Sequence, residues 1–249
     1  MIPESRSSRY RLAVLIDADN ASHRIADGLF EEVAKLGEAS VRRIYGDFSG
    51  PRLKLWADIL SKHAIIPQQN FAYTQGKNAS DIALVIDAMD LLHSGRFDGF
   101  CLVSSDSDFT RLASRLREEG ADVYGFGARK TPESFRQACR RFIYTENLLP
   151  QPATEAGAAA KPLEPLGNAE RILKKIISDL DTDGGGVPLG QIGTQLANLA
   201  SDFDPRTYGF KKLSDVVRHI DAFELKSEGG HLRVHMRSRA TKPARKARA

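Results

Sequence analysis

Apolar residues in the first 149 positions come in two kinds of segment that alternate. Residues 12–16 form an unbroken apolar block and Gly99–Val103 forms another. Blocks of that length with no polar face suit parallel strands that are covered on both sides. Between them the rhythm changes to the three-and-four spacing of helices. Residues 21–36 place Ile25, Leu29, Phe30, Val33 and Leu36 on one stripe and stop at Gly37. Residues 51–63 open with Pro51, suited to a first helical turn, and carry Leu53, Leu55, Trp56, Ile59 and Leu60 on one side. Residues 80–93 make a strong helix, with Leu84, Val85, Ala88, Leu91 and Leu92 as its inner stripe. Asp87 and Asp90 fall on another face and are expected in solvent. Further strands are predicted at 39–45, 64–68, 121–126 and 142–144, and helices at 109–119 and 132–140. This alternation predicts the α/β class, with a mostly parallel sheet and helices on both faces.

The pattern changes after residue 166. Helical spacing covers 169–180, Leu189–Leu199 and 211–220, and alternation then runs through Phe223 and Leu225, a turn at Glu228-Gly229-Gly230, and Leu232, Val234 and Met236. Three helices followed by a hairpin outline a small winged helix-turn-helix domain. The stretch 150–166, rich in Ala, Pro, Gly and Glu, reads as a linker. Two domains are therefore expected, at 9–149 and 167–236, with a basic tail at 237–249.

Composition changes this picture little, but charge changes it at one point. The chain has 249 residues and a net charge of +4, yet six bases and no acid follow Met236, so that without them the charge is −2. A basic tail of this kind has sequence-independent affinity for polyanions; a merely solubilising end is the plainer reading. Cys101 and Cys139 stand apart with no ligand spacing, and both are expected as reduced core thiols. No apolar run approaches the ~18 residues of a membrane span, and residues 1–11 lack the apolar centre of a signal peptide. A cytoplasmic location without membrane contact is the expectation.

The candidate chemistry is acidic. The block 12–16 ends in Asp17-Ala18-Asp19-Asn20, and Gly99–Val103 ends in Ser104-Ser105-Asp106-Ser107-Asp108. Parallel strands deliver their C-terminal loops to one shared edge, where ligands bind. Asp81, opening the helix before the second block, joins Asp17, Asp106 and Asp108 at that edge. Clustered carboxylates are costly unless a cation or a proton offsets them. Oxygen donors without His or Cys suit Mg²⁺ or Mn²⁺, ions that stabilise charge in phosphodiester cleavage. Plainer roles exist for each residue singly. Asp81 is a favourable acid in a first helical turn, and Asp106 or Asp108 is suited to cap the helix behind Phe109. Asn20 and Ser104 are placed to orient a carboxylate, and Asn20 is equally placed to cap the helix behind it. Asp47 either joins the rim or starts a turn. Lys77 either meets a phosphate or is a solvated loop lysine.

Three pieces of sequence carry a resemblance: Leu15-Ile16-Asp17-Ala18-Asp19-Asn20, Lys77-Asn78-Ala79-Ser80-Asp81, and Val103-Ser104-Ser105-Asp106-Ser107-Asp108-Phe109. Their order and spacing resemble the NYN domain, a branch of the PIN-like nuclease superfamily that includes LabA-like proteins. The resemblance implies a PIN-like, Rossmann-type fold and a metal-dependent ribonuclease. Asp17, Asp81, Asp106 and Asp108 fall on the family's acidic positions and Asn20 on its polar one. The run from Phe203 to Asp215, with Asp204-Pro205-Arg206-Thr207-Tyr208-Gly209, resembles the OST-HTH/LOTUS domain. That implies binding of single-stranded or structured RNA, or contact with a protein partner. Arg206, Lys211, Lys212, Arg218, Lys226, His231 and Arg233 are the candidate phosphate contacts; each is singly an ordinary surface base. Tyr208 and Phe210 read as core or turn anchors.

Three functions compete. The first is a metal-dependent endoribonuclease guided by an RNA-binding module. The second is an inactive RNA-binding adaptor with a nuclease-like fold. The third is a phosphatase using Asp17-Ala18-Asp19 as nucleophile and acid, which Ala21, standing where a hydroxyl residue is needed, argues against. A homodimer is open alongside the monomer.

Overall fold

The computed structural model describes residues 10–70, 79–149, 162–181 and 185–237. Six strands form one parallel sheet: β1 (Arg11–Asp17), β2 (Glu38–Gly46), β3 (Ile66–Gln69), β4 (Gly99–Val103), β5 (Asp122–Gly127) and β6 (Arg141–Tyr144). Their spatial order is β3-β2-β1-β4-β5-β6. The chain winds outward from β1 to β3, then crosses back and winds the other way from β4. β1 and β4 are thus neighbours at the point where the winding reverses, with Ile16 opposite Val103.

The unbroken apolar blocks are explained by two cores. Leu12, Val14 and Ile16 face one side, against α1 (Ala26–Leu36) and α2 (Lys54–Ala57). Ala13 and Leu15 face the other, with residues of α3 (Ala79–His93), α4 (Thr110–Glu118) and α5 (Glu133–Ala138). Successive strand residues point to opposite faces, so both sets must be apolar when helices cover both. Cys101 and Cys139 are buried and unpaired, one in each core.

Two expectations are corrected. The 51–63 helix is shorter: a 3-10 turn at Pro51–Leu53 leads into the single α-turn of α2, and the chain then turns to Ala64, whose φ of 51° closes the segment. Backbone bonds there skip three residues (Ala64 to Ser61) and five (Ile65 to Leu60), which breaks the helical ladder. Asp87 is not solvated. It pairs with the Arg43 guanidinium and accepts from the Tyr45 hydroxyl, tying α3 to β2.

The second unit holds α6 (Leu166–Leu180), α7 (Leu189–Leu199) and α8 (Leu213–His219) with β8 (Phe223–Glu228) and β9 (His231–Met236), as the spacing predicts. A third strand, β7 (Val187–Pro188), pairs with β9 and is not foreshadowed by the pattern. Two residues are too few to show alternation. By compactness the unit runs over Ala158–Leu196 and from Asp204 onward, while Ala197–Phe203 belongs with the first unit. Among the described residues no helix is long and apolar enough to cross a membrane. The linker at 150–161, the turn residues 182–184 and the tail from 238 lie outside the described residues.

Candidate active site

β1 and β4 end side by side, and Asp17, the last residue of β1, meets Ser104, the first after β4. Asp17 is 1% exposed, and its carboxylate takes four donors. Oδ1 accepts the backbone N–H of Asp19 at 3.0 Å and of Asn20 at 3.3 Å. Oδ2 accepts Asn20 Nδ2 at 2.8 Å and Ser104 Oγ at 2.7 Å. Asn20 is therefore an orienting residue; the helical cap behind it belongs to Ser22, which accepts from Arg24 N–H. Burial still pushes the Asp17 carboxyl upward, against the pull of Ser104, Asn20 and the two backbone donors.

Ser104 is held from several directions. Its N–H donates to the Phe126 carbonyl at 2.9 Å, and its Oγ accepts from Asp106 N–H at 3.0 Å. The neighbouring Ser105 Oγ accepts Ala128 N–H at 2.8 Å. Gly127, at the end of β5, is a glycine because a Cβ there would lie 2.5 Å from the Ser104 carbonyl oxygen. Strands β4 and β5 thus clamp the loop that carries the later acids.

Asp106 does cap the 3-10 turn Ser107–Phe109, accepting from Asp108 N–H at 2.9 Å. One carboxylate oxygen serves the cap, which leaves the second for a ligand. Asp108 is exposed beside it. Asp81 sits half-buried in the first turn of α3, whose N-terminal end lies at the same sheet edge. Among the described residues none donates a hydrogen bond to it. Burial, and then the charges of Asp17, Asp106, Asp19 and Asp108, push its carboxyl up to about 6. The structure therefore gathers all four predicted acids into one field. Asp47 instead starts a turn, accepting from Ser49 and from Gln69 Nε2. Lys77 lies outside the described residues.

The donor set suits a hard cation. All four groups are carboxylates, and among the described residues the Asp81 charge has no hydrogen-bonding partner to offset it. Among the described residues no three of His, Cys, Asp and Glu converge tightly enough to enclose an ion. Mg²⁺ does not require enclosure: it keeps several waters and binds through one or two carboxylates plus substrate oxygens. The residues present fit such a site.

Sequence reasoning did not find Arg52, which pairs with Asp19 at 2.7 Å on the rim of this edge. A separation of 33 positions carries no local signal; only the β1–β2 pairing brings the two together.

In the second unit the predicted bases divide. The Asp204 carboxylate caps the 3-10 turn Pro205–Tyr208 and also takes the Arg206 guanidinium, through Nε at 3.0 Å and the outer nitrogen at 2.6 Å. Gly209, at φ 85°, ends the turn in the left-handed region that glycine tolerates. The Asp204–Gly209 run is thus a built turn, with Thr207 and Tyr208 buried in it. Phe210 packs against His219. Arg233 donates to the Gly185 and Gly186 carbonyls. Arg218 pairs with Asp215 and Lys226 with Glu224. Lys211 and Lys212 are exposed at the start of α8, and His231 is exposed on β9.

Comparison with known protein families identifies both domains. The family model of the NYN domain matches residues 11–149, and that of the OST-HTH/LOTUS domain matches residues 165–234. No curated protein matches the chain. Four solved chains do. One is the crystal structure of a protein of unknown function from Vibrio parahaemolyticus, 17% identical, with a TM-score of 0.49, covering 57% of this chain and 97% of that one.

Proposed function

We propose that this chain, which belongs to the NYN-domain family and carries an OST-HTH/LOTUS domain behind it, is a divalent-metal-dependent endoribonuclease. The observation that carries the reading is the Asp81 carboxyl, loaded by four other acids at the reversal point of the sheet and, among the described residues, supplied with no hydrogen bond. A structural role gives no reason to concentrate charge there; phosphodiester cleavage does.

Asp17, Asp81, Asp106 and Asp108 are the groups that would hold Mg²⁺ or Mn²⁺, one or two of them directly and the rest through the ion's waters. Such an ion supplies charge stabilisation at phosphoryl oxygens and makes water acidic enough to attack near neutral pH. The chain's own part is preorganisation. Asn20 and Ser104 fix the Asp17 carboxylate, so its orientation is set before substrate arrives. The 3-10 cap fixes Asp106 in the same way.

An acidic edge repels RNA, so affinity must come from elsewhere. Lys211 and Lys212 are the bases of the LOTUS domain best placed to meet phosphates, because Arg206 and Arg233 already serve the domain's own turns. Tethering an RNA-binding domain to the acidic edge raises the local concentration of substrate there.

The test is cleavage of labelled RNA, with DNA in parallel, by the full chain in Mg²⁺, Mn²⁺ or EDTA. Metal-dependent cleavage of RNA is expected, abolished in Asp17→Asn and Asp106→Asn with the fold retained. Undiminished cleavage by either variant refutes the site. RNA binding without turnover in any metal gives the protein to the adaptor reading.

A further inference from the structure

Beside the acidic edge a pocket of about 180 Å³ opens between residues 18–23 and residues 52–56. Its lining is mixed: buried Ala18, Leu53 and Trp56 supply apolar surface, and Ser22 and His23 supply polar groups. Leu55, 57% exposed, stands at its mouth although it is a large aliphatic residue. Arg52 and Asp19 form the rim, their side chains 67% and 31% exposed. The two segments are joined by the Trp56 indole N–H, which donates to the Ala21 carbonyl at 3.0 Å. That bond ties the two sides of the cavity together.

Size and lining restrict the occupant. The volume is below the ~300 Å³ at which drug-sized pockets begin, and about six times the ~30 Å³ share of one water. That suits one planar ring, not a base pair. The walls offer apolar contact from Leu53, Leu55 and Trp56 and polar groups from Ser22 and His23, and Arg52 offers a guanidinium whose planar fork matches phosphate. Among the described residues Arg52 is held by Asp19 alone, in an exposed ion pair that is weak and exchangeable. Asp19 also donates its backbone N–H to the Asp17 carboxylate at 3.0 Å. Pocket and acidic edge therefore share a residue.

We infer that this pocket is a subsite for one unstacked nucleotide of single-stranded RNA, next to the phosphate to be cleaved. The base enters the cavity beside Leu55 and Trp56, where Ser22 and His23 can meet its polar edge, and Arg52 leaves Asp19 for the adjoining phosphate. A base can enter only when it is free of a partner, so the subsite selects single strands over duplex. The inference rests on the nuclease reading for what happens at the neighbouring phosphate, but the binding itself is separable from it.

Trp56 is the chain's only tryptophan, so its fluorescence reports on this pocket in the full chain. The experiment titrates 5′-UMP, ribose 5-phosphate and inorganic phosphate into the full chain in EDTA, with free indole correcting for absorption by the nucleotide. A saturable change with 5′-UMP is expected, with a dissociation constant raised about tenfold in Arg52→Ala and in Leu55→Ser. Ribose 5-phosphate is expected to bind far more weakly. No saturable change in the wild type, equal binding by both variants, or an equal response to inorganic phosphate overturns the subsite. RNA cleavage is scored separately. Cleavage without 5′-UMP binding removes the subsite and leaves the nuclease, whereas binding without cleavage does the reverse.

Discussion

Replacing Asp81 with Asn should make the metal-free protein more stable, although Asp81 is proposed as a functional residue. The carboxyl is raised from 3.8 to about 6 by burial and by neighbouring acids, and no described residue donates a hydrogen bond in compensation. The folded state therefore binds this proton more tightly than the unfolded chain does. Between about pH 4 and 6 the folded protein holds more protons, so stability falls as pH rises through that window, and the loss is complete above it. Two units at ~1.36 kcal/mol each give an upper bound of about 3 kcal/mol. The side chain is only half-buried, and solvent screening reduces this to roughly 1–1.5 kcal/mol. Asn keeps the shape and removes the charge. The assay is urea unfolding in EDTA, followed by Trp56 fluorescence so that only the first unit is read, at intervals from about pH 4 to 8. The variant should match the wild type near pH ~4 and exceed it by that margin above pH ~6.5. Mg²⁺ should then stabilise the wild type more than the variant, because binding to the native state alone raises stability. A variant no more stable than the wild type at about pH 7.5 in EDTA, or a gain that does not shrink towards pH ~4, refutes the reasoning.

Ser104→Ala removes one of the donors on the buried Asp17 carboxylate and should cost about 1.5–3 kcal/mol by chemical denaturation, with RNA cleavage reduced. Gly127→Ala forces a Cβ against the Ser104 carbonyl and should destabilise the first unit by about 1–3 kcal/mol, measured by the midpoint of Trp56 unfolding. Asp204→Ala uncaps the 3-10 turn and removes the carboxylate that the Arg206 guanidinium grips, so far-UV circular dichroism should show the second unit losing about 1–2 kcal/mol. Lys211→Ala should instead leave stability unchanged and lower the slope of log affinity for RNA against log salt by about one.

The sheet and its two cores were legible because β1 and β4 are covered on both faces, which writes unbroken apolar runs into the chain. The four acids were legible for a related reason: each closely trails a buried strand or opens a strong helix, so position along the sequence translates into position at the edge. What the sequence concealed depends on pairings across the sheet. Asp87 lies off the inner stripe of α3, and periodicity alone assigns it to solvent. Arg43 and Tyr45 on β2 claim it, from more than 40 positions away. Arg206 was read as a surface base because nothing local distinguishes a guanidinium bound to Asp204 from one awaiting a phosphate. The pocket at Trp56 was hidden because its residues form a helical stripe on paper, whereas the segment folds as broken turns.

The bond from Ser104 to Asp17 spans 87 positions of sequence. A ribosome making this protein exposes β1 long before β4 exists. Until the chain has been synthesised past Asp108 and β4 has docked beside β1, Asp17 lacks the Ser104 donor and the later acids are not beside it. The nascent chain thus emerges without the assembled acidic edge. That edge forms only with a long-range strand pairing, one of the slower kinds of contact for a polypeptide to form.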